Sequence, residues 1–186
     1  WMRTRDLSGQ KAYWVSQFED EIPVLDMPLD FTRPQQQSYK GDVVFSETGK
    51  VLHDAVKALA KQTGATEYMI FLAAVMVLLS KYSRQDDIVI GSPISGRTHK
   101  DTEQMLGMFV NTLALRTKID SKLSFKEFLE TVKNNCLNAY KYQTYPFDEL
   151  VNKLNIKRDS SRNPLFDTMF IYQNEGNTKV NLGHIK

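Results

Sequence analysis

The side chains through which this chain could do chemistry are few. It has one cysteine and three histidines. His53, His99 and His184 stand far apart, with no second ligand at helical or turn spacing, so no metal is expected. Cys136 falls on an apolar helical stripe with Phe125, Phe128, Leu129, Val132 and Tyr140, and no base or local positive charge flanks it. It reads as a core thiol rather than a nucleophile. Residues 106–116 are more informative. Read as a strand, they set Phe109, Asn111, Leu113 and Leu115 on one face and Val110, Thr112, Ala114 and Arg116 on the other. An amide among large apolar groups needs partners, because leaving it buried and unpaired costs about 1–3 kcal/mol. Asn111 therefore either satisfies neighbouring backbone at a bulge or marks the end of a strand at a ligand tunnel. Gln143 is a second amide with no local explanation. Arg97 and His99 sit in a glycine-bearing loop, where their ordinary task is to anchor the loop to carboxylates or carbonyls. Arg158, Asp159, Ser161, Arg162 and Asn163 form a loop that can pin itself by charge-assisted hydrogen bonds.

These residues must be positioned by a succession of elements. The spacing predicts a helix over 8–21, with Ala12, Tyr13, Val15 and Phe18 as its apolar positions and Trp14 beside them. Residues 23–38 contain Pro23, Pro28 and Pro34 and read as an extended connector. A strand is expected over 39–46 and an amphipathic helix over 50–62, closed by Gly64. Thr66 caps a helix running to 83 that is apolar nearly all round and hence central. Residues 88–90 form a short buried strand and 91–99 a loop. Ser124 and Glu127 make a capping box for a helix to 141. Pro146 suits the start of a further helix, where Asp148 favours the positive N-terminus and Phe147 faces inward. A strand over 166–173 and a peripheral tail over 176–186 complete the reading. The pattern predicts a mixed α/β domain with helices packed on one main face of a mixed sheet.

Composition sets outer bounds. With 186 residues, 41% of them hydrophobic, the chain can build one core. The formal charge of +2 gives no reason to expect nucleic acid or an anionic membrane as partner. The longest apolar run, 68–79, is shorter than the roughly 20 residues of a membrane span. A single cysteine excludes an intramolecular disulfide and fits a reducing, cytoplasmic setting. The chain opens on Trp1, without an initiating methionine or a signal pattern, and reads as a piece of something longer.

Three stretches, in order, resemble one family. Residues 106–116 are similar to the signature (I/V)GxFVNT(L/Q)xxR of nonribosomal peptide synthetase condensation domains, with Leu106 at the first position. Gln143, Tyr145, Pro146 and Phe147 match (H/N)QD(Y/V)PFE, with Asp148 for Glu, while Tyr142 and Thr144 depart from it. Residues 158–165 carry every fixed position of RDxSRNPL. The loop around Arg97 and His99 is similar to the family's GxPxxGRxH, and 23–34 to its proline-rich connector. The resemblance runs from about residue 13 to 170.

The resemblance implies a fold like chloramphenicol acetyltransferase, with two α/β subdomains around a tunnel. It implies amide formation between thioesters that upstream and downstream carrier proteins present on phosphopantetheine arms, with no cofactor bound directly and an adenylation domain as neighbour. The family's catalytic HHxxxDG is absent here, since this chain has no adjacent histidines. The chain accordingly resembles the C-terminal subdomain, whose partner is the missing N-terminal one. No catalytic residue is then expected in this chain, and Phe109, Asn111, Thr112 and Gln143 are the tunnel candidates. A non-catalytic docking half-domain and an epimerisation-type relative are the alternatives.

Overall fold

Two hydroxyls decide where the long helices begin. Thr66 Oγ1 accepts from the Met69 amide at 3.3 Å and opens α3, Glu67–Ser83. Ser124 Oγ accepts from the Glu127 amide, and the Glu127 carboxylate returns to the Ser124 amide at 2.8 Å, opening α4, Phe125–Lys141. Each pair satisfies amides that a helix start leaves free. The structure is a computed structural model that describes residues 6–156 and 159–173. Arg158 and the tail 176–186 lie outside the described residues.

The remaining helices are α1, Ser8–Ser16; α2, Lys50–Thr63; and α5, Phe147–Lys153. The strands are β1, Asp87–Ile94; β2, Asn111–Lys118; and β3, Thr168–Met169. They form one mixed sheet in the order β2-β1-β3. β1 pairs antiparallel with β2, from Asp87 opposite Lys118 to Ile94 opposite Asn111. It pairs parallel with β3, reached by the crossover through α4 and α5. Leu72 and Met76 of α3, Leu129, Val132 and Cys136 of α4, Ile88, Ile90 and Leu113 fill the core.

Several expectations are corrected. Burial of Ile88, Val89 and Ile90 in succession, and of Leu113, Ala114 and Leu115, means that both faces of the sheet are covered, not one. α1 stops at Ser16, well short of residue 21. Glu19, Asp20 and Glu21 would have placed three carboxylates at the negative end of a helix dipole. Trp14, read as lying beside the apolar stripe, is its most buried member. β1 runs on through Gly91, Ser92 and Pro93, which read as loop. Gly91 makes this possible: a Cβ there would lie 2.5 Å from the Phe166 ring. β2 starts at Asn111, so Phe109 precedes the strand and does not share its alternation. The strand expected over 166–173 is confined to Thr168–Met169. Residues 39–46 form no strand, because alternation and propensity need a neighbouring strand to bond with and none lies beside them among the described residues. Val43, Val44 and Phe45 are consequently exposed. Among the described residues no single helix is long and apolar enough to cross a membrane.

Candidate functional site

The approach to β2 is shaped by Gly96 and Arg97. Gly96 has φ of 64°, and a Cβ there would sit 1.8 Å from the Phe109 carbonyl oxygen. Only glycine allows both the conformation and the contact. The Arg97 guanidinium donates to the carbonyls of Thr102 and Gly107 and lies 4.4 Å from the centre of the Phe109 ring. His99 caps the short 3-10 turn Lys100–Thr102, its Nδ1 accepting from the Asp101 amide at 3.3 Å. The loop so formed holds Phe109 half-buried while leaving Leu106, Met108 and Val110 exposed.

Asn111 stands where this loop becomes β2, half-buried. Its Nδ2 donates to the carbonyls of Gln143 at 2.9 Å and Tyr145 at 2.8 Å, and its Oδ1 accepts from the Phe147 amide at 3.2 Å. The first family-like stretch thus grips the second. Gln143 folds back on α4, donating from Nε2 to the Tyr140 carbonyl at 2.8 Å. Pro146 is the N-cap of α5, Asp148 and Glu149 occupy its first turn, and the Phe147 ring packs on Phe166 at 5.6 Å. The Thr144 hydroxyl is buried with no hydrogen-bond partner. Thr112, half-buried, points to the opposite face from Asn111 and lies opposite Pro93.

Arg116 closes the other end of β2. Its Nε and Nη2 bind the Asp87 carboxylate, Nη2 at 2.6 Å. Nη1 meets Asp20 at 2.6 Å and the Gln17 carbonyl at 3.0 Å, and Nη2 also reaches the Glu21 carbonyl at 2.8 Å. Donation to the Asp87 carboxylate raises the guanidinium pKa further. Asp20 is held below its usual range by a hydrogen bond from Lys118 and by Arg116. A polar cavity of about 360 Å³ opens here between Gln17, Glu19, Asp20, Lys118 and Asn135. Arg116 has its donors already taken, so this cavity offers a ligand no free guanidinium.

The third stretch clasps the connector. Ser160 Oγ donates to the Gln35 carbonyl at 2.7 Å, and the Ser160 carbonyl accepts from the Gln37 amide at 3.0 Å. Arg33 donates to the Ser161 carbonyl at 3.3 Å and lies 3.7 Å from Asp167, which Arg162 binds at 3.2 Å. Asp159 accepts from the Ser161 amide at 2.8 Å and faces Arg162 at 3.7 Å. Asn163 is exposed in the same loop. A second tie upstream joins Gln85 to the Val24 carbonyl and the Asp26 amide. Sequence reasoning missed Arg33, Gln85, Asp20, Asp87 and Asp167. All are ordinary surface types whose partners, apart from Arg162 beside Asp167, are remote in sequence.

Burial pushes the Cys136 thiol up to about 12, which suits its place in the core between α4 neighbours. Among the described residues no group of three or more His, Cys, Asp or Glu side chains is gathered as for a metal ion.

Comparison with known proteins places this geometry. The chain is 56% identical over 165 residues to tyrocidine synthase 3 of Brevibacillus parabrevis, covering 89% of the chain and 2% of that protein. It is 50% identical over 185 residues to gramicidin S synthase 2 of Aneurinibacillus migulanus, covering 100% of the chain and 4% of that protein. The structure superposes on a holo four-domain nonribosomal peptide synthetase bound to AMP and glycine with a TM-score of 0.88 at 28% identity, over 94% of this chain and 13% of that one. It also superposes on the condensation domain of the Monacolin K polyketide synthase MokA, with a TM-score of 0.79 over 88% of this chain and 41% of that one; at 23% identity this bears on the fold alone. The mixed α/β architecture is that of the chloramphenicol acetyltransferase-like condensation domains. The condensation domain family model matches residues 2–183, and this chain belongs to that family.

Proposed function

We propose that this chain is the C-terminal half of a condensation domain within a cytoplasmic, multimodular nonribosomal peptide synthetase, and that the complete domain joins two carrier-bound substrates. The amine of the acceptor attacks the donor thioester carbonyl. A C–N bond forms, the C–S bond breaks, the thiol of the donor's phosphopantetheine arm leaves, and the amine's proton passes to solvent or sulfur. The family's HHxxxDG, whose histidine either takes that proton or positions the amine, is not in this chain, so the isolated chain is expected to form no peptide bond. Its own part is to build one wall of the tunnel, with Phe109, Asn111, Thr112 and Gln143 at that wall.

The observation that carries this reading is the pairing of a fastened backbone with an uncovered apolar surface. Arg97 and Asn111 hold the ends of the stretch from 102 to 111, yet Leu106 is 102% exposed and Met108 93%. Val43, Val44 and Phe45 are likewise bare. Apolar groups displayed on an organised backbone belong against a partner, and the other half of the domain is the partner this reading names. The chain spans 2% and 4% of the two curated relatives cited, so the carrier proteins and the adenylation domain are partners of the parent enzyme.

The test reconstitutes the parts. Two carrier proteins are loaded with aminoacyl arms, and dipeptidyl thioester is measured with this chain, with the complementary half, and with both. Product only when both halves are present, together with their co-sedimentation, supports the reading. Product from this chain alone overturns it, and co-sedimentation without product favours a docking half-domain.

A further inference from the structure

We propose that Asn111 is a positioning residue for condensation: its amide fixes the turn between α4 and α5, and so places Gln143, without itself touching substrate. This rests on the reading of the chain as one wall of a condensation tunnel.

The amide has two N–H groups and one oxygen. Both N–H groups are spent, on the carbonyls of Gln143 and Tyr145, and the oxygen accepts from Phe147. To donate to a thioester carbonyl, Asn111 would have to release a backbone carbonyl it now holds at 2.9 Å or less. The other short bonds on the turn, Trp14 Nε1 to the Tyr142 carbonyl at 2.9 Å and Gln143 Nε2 to the Tyr140 carbonyl at 2.8 Å, hold its first residues and do not reach 144–147. The turn's own backbone bonds, Gln143 amide to Tyr140 carbonyl and Tyr145 amide to Tyr142 carbonyl, are both stretched to 3.4 Å. The turn follows the end of α4 at Lys141 and precedes α5 at Phe147, so neither helix ladder spans it. One side chain from β2 thus supplies the short bonds that a turn of this shape lacks internally.

The consequence falls on Gln143. Its backbone carbonyl is one of the two that Asn111 holds, and its Nε2 is tied to Tyr140. Among the described residues its Oε1 and its second N–H have no hydrogen-bond partner, and the side chain is half-buried. A carboxamide with one free donor and one free acceptor matches an amide or thioester carbonyl and the amine that attacks it. The two family-like stretches are then one device, in which Asn111 is the fastener and Gln143 the contact.

Two measurements separate this from its rivals. In this chain, hydrogen exchange at the Phe147 amide follows the fastening alone; Asn111→Ala is expected to speed it at least tenfold beyond any global loss of stability. Unchanged exchange overturns the proposal whatever the chain's function. In the complete domain, dipeptide formation is measured for Asn111→Ala, Gln143→Ala and the double variant, with melting temperatures alongside. Action through Gln143 predicts that both singles lower kcat several-fold and that the double is no worse than Gln143→Ala. Losses that multiply mean that Asn111 acts on substrate directly and overturn the proposal. A fall in melting temperature with kcat unchanged reduces Asn111 to a structural bond and overturns it as well. A wild-type complete domain that forms no dipeptide would overturn the functional reading, and with it the assignment of Gln143 as a contact, even if the exchange result held.

Discussion

Gly96→Ala measures how tightly the entry to β2 is determined, and Gly64→Ala provides its internal control. The two glycines have the same φ of 64°. A Cβ on Gly64 meets only Lys133 Nζ, at 3.6 Å, an ordinary contact with the end of a flexible side chain. A Cβ on Gly96 meets the Phe109 carbonyl oxygen at 1.8 Å. Both substitutions carry the left-handed backbone penalty of an L-residue, about 1–2 kcal/mol. Only Gly96→Ala adds a collision with backbone, which no rotamer change relieves. Overpacking of this kind costs about 1–3 kcal/mol. The expected losses are therefore about 1–2 kcal/mol for Gly64→Ala and about 2–5 kcal/mol for Gly96→Ala. Urea denaturation followed by circular dichroism reads both, as a shift of midpoint at constant m. The displaced Phe109 also moves from under Arg97, so its ring signals should shift in NMR spectra of Gly96→Ala and not of Gly64→Ala. Equal losses for the two variants would refute the collision and leave only the shared backbone term.

Arg116→Met strands Asp87 beside the end of β2 and should cost about 2–4 kcal/mol, less than a fully buried pair because Asp20 is more than half exposed; a loss under about 0.5 kcal/mol in the same denaturation assay would show that the network contributes only surface pairing. The acid limb of stability follows Glu127, Asp20 and Asp159, held below their usual values by hydrogen bonds from Ser124, Lys118 and Ser161 respectively. Depressed carboxylates stabilise above their ordinary pKa and lose that contribution as pH falls through the lowered one. The melting temperature should hold from pH 7 to about 5 and drop below about 4, and Ser124→Ala should flatten the drop; a steeper drop in that variant would contradict the assignment. Asp167→Asn weakens the hold on Arg33 and Arg162, so limited proteolysis should cut residues 35–49 several-fold faster at unchanged melting temperature, whereas an unaltered digest would mean that the Ser160 bonds alone retain the connector.

What could be read along the chain was what neighbours in sequence decide. Thr66 and Ser124 cap helices because the amides they satisfy lie three residues on, and Gly64 ends α2 because a left-handed turn there needs no distant partner. The core places of α3 and α4 follow from the helical period, and Ile88 to Ile90 announce a buried strand by their run of apolar side chains. The family was legible as well, because three stretches keep their wording in order, and the family match bears out that resemblance. Strand extent was not legible. Pro93 joins β1, while Tyr39 to Ser46, with better strand composition, stays unpaired, since a strand exists only where another backbone meets it. The roles of the motif residues were beyond the sequence for the same reason. Asn111 finds its partners more than thirty residues on, Arg116 finds Gln17 and Glu21 across α1's end, and Ser160 takes the Gln35 carbonyl 125 residues away. A hydrogen bond needs placement within a fraction of an ångström, and only the assembled tertiary structure sets distances between groups so far apart in the chain.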